Sequence, residues 1–504
     1  MPLKLVRFES ALESKGLRWI HQPILCAILV AAIAFFSLWG IALKRGFPQP
    51  RVQDEFSYLL AADTVSHGRL TNPTPPFAAH FESPHVLVHP TYMSKYPPGQ
   101  GAALAIGQLL TAQPIVGVWL STAAAAVAIY WMLLSFVSRP WALLGGVMAA
   151  LNLRLLDWGE VYWGGAVAVL GGAILLGAAS RWRREPLASS GALMAAGLLI
   201  LAFSRPFEGL MLALPIVGMA TLKAASRQAF RQALPAAAVL LAGAALMGYF
   251  NFRVTRHILR MPAVEYARQF DVFPKFWFLP AREPPVYRDD VLKRVHTEWE
   301  RGDYDRLRSF AGFVRISAAR VGHLLLMNAQ PIVLLLPLAA GAIWLDGWLW
   351  AVLGTFVLGM LAESWFLPHY AAPVVPLMML MMILGLRRLG GGVALVCVVA
   401  FLVGVILHLS AAPPPARFGR ADLIAATPSL QSGKNLILVR YGLGHLLDDE
   451  WVYNGANIES QQIIWARSLG GPADAKLLGY FHDRQAWLLE VGDKELRLNK
   501  YAAP

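Results

Sequence analysis

Long apolar runs separated by short polar turns dominate the chain. Eleven of them are candidates for bilayer helices: 23–43, 114–137, 141–156, 166–179, 187–203, 209–222, 233–252, 331–345, 348–362, 371–386 and 393–409. A helix needs about 20 apolar residues to cross the hydrocarbon core, and fewer inside a bundle. A further short run, 101–110, is expected as a helix at the membrane interface. Alternating, strand-like runs occur only in the tail, at 435–441 and 486–491, beyond a Pro-rich linker at 411–416. The pattern predicts an all-α polytopic membrane protein over 1–410 and a small C-terminal α/β domain over 411–504.

Sidedness follows from where the short basic connections fall. With the N-terminus in the cytoplasm, the inner connections carry Arg139, Arg181, Arg183, Arg184, Lys223, Arg227, Arg231, Arg387 and Arg388. Lys44 and Arg45 run against this parity, and the N-terminal Lys4, Arg7, Lys15 and Arg18 outvote them. The first run has no small-residue cleavage site after it, so an uncleaved helix is expected rather than a signal peptide. Two long outer loops result, 44–113 and 253–330, with short outer turns at 157–165, 204–208 and 363–370. The tail is then extracytoplasmic, and the protein belongs to the cytoplasmic membrane.

Composition agrees. Only 15% of the 504 residues are charged and 57% are hydrophobic, against about 25% charged in soluble domains. Mean hydropathy is +0.50. The net charge of +13 sits largely beside apolar runs, and no nucleic-acid-binding signature accompanies it. Cys26 and Cys397 lie inside apolar runs and read as small core residues.

The polar residues that remain collect at the outer ends of the runs, where a charge is costly. Asp54 and Glu55 open an amphipathic juxtamembrane helix, with Phe56, Leu59 and Leu60 on one stripe and Ser57 and Asp63 off it. Such a pair suits a helix N-terminus, and equally a general base facing an acceptor hydroxyl. The same loop closes on Lys95-Tyr96-Pro97-Pro98. There Lys95 either binds a phosphate or reaches to lipid headgroups. His80, Glu82, His85 and His89 have metal-ligand chemistry without a strong zinc spacing, and His85 with His89 is the candidate pair. Asp157 and Glu160 crowd the second outer turn beside Trp158, Tyr162 and Trp163. Arg205 and Glu208 either pair with each other or leave Arg205 for a phosphate. Arg253, Arg256, His257 and Arg260 follow a span, and Glu363, His369 and Tyr370 occupy the last outer turn.

At these residues the chain resembles the GT-C polytopic glycosyltransferases. Within them it is similar to glycosyltransferase family 39, the branch of the protein O-mannosyltransferases and the lipid A aminoarabinose transferase. The matching features are Asp54-Glu55, Lys95-Tyr96-Pro97-Pro98, Asp157, Ser204-Arg205-Pro206, Phe366-Leu367-Pro368-His369-Tyr370 and an outer tail. Tyr96 stands inside the usual Lys-Pro-Pro element, and the tail matches no accessory domain of the family.

The resemblance implies transfer of a sugar from a polyprenyl-phosphate donor to a glycan, lipid or protein acceptor outside the membrane, with inversion. It implies Asp54 as base with Glu55 and Asp157 as catalytic neighbours. Lys95, Tyr96, Arg205 and Arg256 would face the donor phosphate. Glu160, Tyr162, Glu208, His369 and Tyr370 would line the substrates. No particular cofactor is predicted, and a divalent metal remains open. The alternatives are an oligosaccharide ligase or polymerase relying on Arg253–Arg260, and a transporter. Charge-free spans and the lack of a repeat disfavour the transporter. The sugar-transfer reading expects the charged helix ends to converge on one outer cleft.

Overall fold

A computed structural model describes residues 18–224, 227–412, 418–442, 444–492 and 495–501. Lys4, Arg7, Lys15 and most of the Pro-rich linker lie outside the described residues. Among the described residues, seven helices are long and apolar enough to cross a membrane: Pro23–Arg45, Pro114–Leu133, Pro206–Lys223, Ala229–Thr255, Phe310–Asn328, Pro368–Arg388 and Gly391–Ser410. Shorter apolar helices cover Ala188–Ala202, Ile332–Ala342 and Gly347–Ala362. Helices Arg139–Ala150 and Ala166–Arg184 complete the bundle. The architecture is therefore a mostly helical, membrane-spanning bundle with a small sheet domain.

The stretch 253–330, expected as an outer loop, ends in the 19-residue helix Phe310–Asn328. Arg315, Arg320 and His323 had diluted its hydropathy. This helix and Leu335–Ala342 run one after the other along the bundle. Near the first, Arg320 donates to the carbonyls of Met360 (3.0 Å), Glu363 (2.7 Å) and Ser364 (2.9 Å). Beyond the second, Asp346 pairs with Arg183 at 2.8 Å. Gly341 permits the crossing, because a Cβ there would fall on the Met381 carbonyl oxygen.

The basic helix ends gather at one end of the bundle. Lys223 donates to the Arg183 carbonyl, Arg184 to that of Ser135, and Arg388 lies 3.8 Å over the Trp344 ring. Lys44 and Arg45, at the other end, cap the last helix. Lys44 donates to the carbonyls of Leu409 (2.9 Å) and Ser410 (3.0 Å), and Arg45 to that of His408 (3.0 Å). Orphan carbonyls at a helix C-terminus attract cations, which gives Lys44 and Arg45 a structural role independent of membrane sidedness.

The first long loop folds as helix Gln53–Ser66, the strand pair Val86–Leu87 and Met93–Ser94, and helix Pro98–Thr111. Helix Gln53–Ser66 is buried on most sides rather than resting a single stripe on the bilayer. Glu55, Phe56, Ser57, Tyr58, Leu60, Ala61 and Thr64 are all covered. What covers one flank is the tail. Its four strands lie in the order Ile463–Arg467, Asn435–Tyr441, Gln485–Val491, Leu496–Lys500, the first three parallel and the last antiparallel. Helix Gly471–Tyr480 makes the crossover that parallel pairing demands.

Leu436, Leu438, Ile464 and Leu477 of this domain share one apolar core with Leu60, Phe81 and Tyr92 of the first loop. Asp63 accepts the N–H of Ala456 at 2.6 Å, and Tyr92 donates to the Asn454 carbonyl at 2.9 Å. Arg467, 1% exposed in its side chain, fastens three segments. It pairs with Glu450 (2.7 Å) and Asp289 (3.1 Å) and donates to the Glu82 carbonyl.

Candidate active site

Asp54 and Glu55 are adjacent in the first turn of helix Gln53–Ser66 and face different partners. One Glu55 oxygen accepts the N–H groups of Arg51 (2.8 Å) and Val52 (3.2 Å), and the other accepts that of Tyr162 (3.1 Å). It is a capping carboxylate that also ties the second outer turn to the first loop. Burial pushes its pKa up, while those N–H groups pull it down. Asp54 instead accepts the hydroxyl of Tyr96 and lies 3.8 Å from His85 Nε2, with a quarter of its side chain exposed.

The strand pair sets this neighbourhood. Ser57 Oγ donates to the His85 carbonyl at 2.6 Å and meets Ser94 Oγ at 2.8 Å. Lys95 donates its N–H to the same carbonyl at 3.1 Å. Tyr58 stacks on Tyr96 with centroids 4.3 Å apart. Burial first, then the Asp54 charge, holds the Tyr96 phenol well above its ordinary pKa, so it remains a donor. Pro97 and Pro98 end the extended segment and begin the next helix. At Gly99, whose N–H donates to the Phe203 carbonyl at 2.7 Å, a Cβ would fall 2.7 Å from that oxygen. The close approach brings the Ser204-Arg205-Pro206 turn against Lys95-Tyr96.

Arg205 lies over the Tyr370 ring at 4.5 Å. Burial opposes its charge, but Tyr58, Glu208, Tyr370 and Tyr96 outweigh that and keep it cationic. Among the described residues no carboxylate pairs with it within 4.0 Å. Glu208 instead lies 3.6 Å from Lys275, which also meets Glu363 at 2.9 Å. Burial and the Glu208 charge push Glu363 up, against the pull of Lys275. His369 is buried, stacked on Trp163 at 5.6 Å.

Beside these residues opens a cavity of about 460 Å³ lined by Lys95, Arg268, Asp271, Lys275, Arg282, Glu363 and Tyr370 among others. Four cations face two carboxylates there, a balance suited to an anionic ligand. Asp157 and Glu160 lie apart from it. Asp157 meets Arg154 (3.3 Å) and His408 (3.5 Å), Glu160 meets Arg45 (2.7 Å), and Tyr162 donates to the Pro48 carbonyl. Arg256 is exposed at the end of the helix Arg227–Thr255, with a left-handed φ of 65°. Lys95 and Tyr370 line the cavity, while Asp54, Arg205 and Glu208 do not line it and reach it only through Tyr96, Tyr370 and Lys275; Asp157, Glu160 and Arg256 are held elsewhere.

His85 and His89 do not share a site either. His85 is buried next to Asp54, and His89 is exposed on a second cavity between the first loop and the tail domain. Among the described residues, those whose ligand atoms do gather, within 4.8 Å of one another, are Asp271, His296 and Glu300. Burial lowers His296 to about 4, with Asp271 opposing and Lys95 assisting, and raises Glu300 to about 8 against the pull of Lys95. The one visible trace of this group in the sequence is the His296-x-x-x-Glu300 spacing, which puts both residues on one helix face.

No protein-family profile and no curated protein matches the sequence. Among solved structures it is similar to the oligosaccharyltransferase of Archaeoglobus fulgidus crystallised with Zn and sulfate. That likeness has a TM-score of 0.47 and 11% identity over 93% of this chain and 67% of the other. It is also similar to the archaeal oligosaccharyltransferase AglB from Archaeoglobus fulgidus in complex with an inhibitory peptide and a dolichol-phosphate. There the TM-score is 0.37, with 11% identity over 92% of this chain and 69% of the other. Both likenesses are distant.

Proposed function

We propose that the chain is a membrane glycosyltransferase of the GT-C kind. It would move a sugar from a polyprenyl-phosphate donor to an acceptor hydroxyl at the outer face of the cytoplasmic membrane. The observation that supports it is a cationic cavity, lined by Lys95 and Tyr370, next to the Tyr96–Asp54 hydrogen bond and with Arg205 over the Tyr370 ring, at the end of the bundle opposite its basic helix ends. An outward orientation of that end fits the positive-inside rule.

In this reading Lys95 and Arg205 hold the donor phosphate. Asp54 accepts the proton of the acceptor hydroxyl as its oxygen bonds to the anomeric carbon. The anomeric carbon–phosphate oxygen bond breaks on the opposite face, and the phosphate leaves as an anion that needs no proton. Cationic groups strengthen their hold as that charge develops. One displacement inverts the anomeric centre. Glu55 holds the loop that carries Asp54.

The test is turnover of radiolabelled polyprenyl-phosphate sugars by the purified chain, with Asp54→Asn beside it. Support is turnover by the wild type that the variant loses. Equal turnover by both would remove the base, and a trapped glycosyl-enzyme would overturn the single displacement.

A further inference from the structure

Asp271 caps the C-terminus of helix Pro262–Phe270. His296 and Glu300 lie one turn apart in the helical run from Asp290 to Leu307. His296 Nδ1 is 3.1 Å from Glu300 Oε2 and 3.5 Å from Asp271 Oδ1. The imidazole is fully covered and the Glu300 side chain is 8% exposed. One ring nitrogen thus faces oxygens of two carboxyl groups. Asp271 Oδ1 is buried without a hydrogen-bond partner.

No Lys or Arg among the described residues lies within 4.0 Å of either carboxylate. Arg282, the nearest candidate by position, donates to the backbone carbonyls of Asp271, Arg268 and Ala267. Lys95 stands over the Tyr266 ring at 4.6 Å. A covered Glu300 carboxyl beside a half-buried Asp271 carboxyl, with no cation in reach, is a costly arrangement, and a bound cation would offset that cost. The other ring nitrogen, Nε2, is fixed by Tyr266 Oη at 3.0 Å, which is how metal-binding imidazoles are commonly oriented.

We infer that Asp271, His296 and Glu300 form a site for a divalent metal, and that the donor set selects zinc. One imidazole nitrogen with two carboxylate oxygens suits zinc, whereas magnesium prefers an all-oxygen, largely hydrated shell. Small side-chain movements would bring all three atoms to bonding distance of about 2.0–2.2 Å. Asp271 lines the 460 Å³ cavity, so the remaining coordination positions open toward it and give the ion its entry path. The site stands whether or not sugar transfer is the reaction.

The experiment uses the full chain in detergent, stripped with a chelator and dialysed against zinc chloride alone, with bound metal measured by mass spectrometry. About one zinc per chain is expected, and cobalt in its place should give visible ligand-field absorption. Asp271→Asn and His296→Gln should each weaken binding at least tenfold. Lys95→Met should tighten it by removing a neighbouring positive charge. The double variant His85→Asn/His89→Asn should bind as the wild type does. Should His296→Gln fail to fold, Asp271→Asn, on the partly exposed rim, carries the test. No zinc on the wild type, unchanged binding by Asp271→Asn, or loss in the His85/His89 variant would each overturn the inference.

Discussion

The phenol of Tyr96 donates its hydrogen bond to the Asp54 carboxylate. The contact joins the start of the first loop's helix to the Lys95-Tyr96-Pro97-Pro98 element that closes the same loop. Asp54→Asn removes the proposed base with little change in shape. It is expected to lower turnover by about 10²–10⁴-fold while leaving the thermal transition nearly where it was. Tyr96→Phe should cost less in rate than Asp54→Asn, because it removes the hydrogen bond that positions Asp54 while leaving the carboxylate in place.

Glu55 should behave in the opposite way. Its two oxygens serve three backbone N–H groups, and glutamine offers one acceptor where two are used. Glu55→Gln is expected to destabilise the chain by about 1–3 kcal/mol, read as a lowered thermal midpoint, with turnover per folded molecule falling less than in Asp54→Asn. A Glu55→Gln protein of normal stability and no activity would reverse the two assignments.

Arg205 stacks on Tyr370, and among the described residues no carboxylate pairs with it within 4.0 Å. Lysine keeps the charge but loses the planar face and the paired N–H groups. Arg205→Lys should therefore raise the donor KM, and Arg205→Gln should in addition lower kcat, because charge at the leaving phosphate is then missing. Equal kinetics in all three proteins would take Arg205 out of the donor site.

Glu300 gives a pH signature. Its folded pKa of about 8 lies above the unfolded value of about 4.3. Between the two, the folded state holds a proton that the unfolded state has lost, so stability falls as pH rises. This contribution is complete below about pH 4.3 and gone once pH passes 8. In chelator-treated protein, the thermal midpoint of Glu300→Gln should therefore decline less than that of the wild type from pH 5 to pH 8.5.

Much of the bundle was legible because a bilayer tolerates few charges, so apolar runs announce themselves. Helix Phe310–Asn328 escaped because Arg320 spends its charge on carbonyls of the 360–364 turn, a use that hydropathy cannot foresee. The Arg205 turn and the Lys95 element were recognisable by residue type. Their meeting was not, since it depends on Gly99 touching Phe203. Asp271 and His296 belong to different segments, and no spacing rule connects them. Asp157 and Glu160 looked like site residues because they are two carboxylates in one short turn, yet Arg154 and Arg45 answer them.

Arg467 binds Glu450, Asp289 and the Glu82 carbonyl from within the tail domain. Arg467→Met leaves two buried carboxylates without their cation and should cost about 3–5 kcal/mol. Protease nicking of the tail should then occur at lower temperature than in the wild type.

The shared core of Leu60 and Phe81 with Leu436 and Ile464 also sets a timetable. The first loop leaves the ribosome long before the strands that cover it, and nearly all the bundle is synthesised in between. Until those last strands arrive, the helix bearing Asp54 has an uncovered greasy flank. Any reactive centre built on that helix matures only after those strands have been made, so a nascent chain stalled midway through the bundle would be inert.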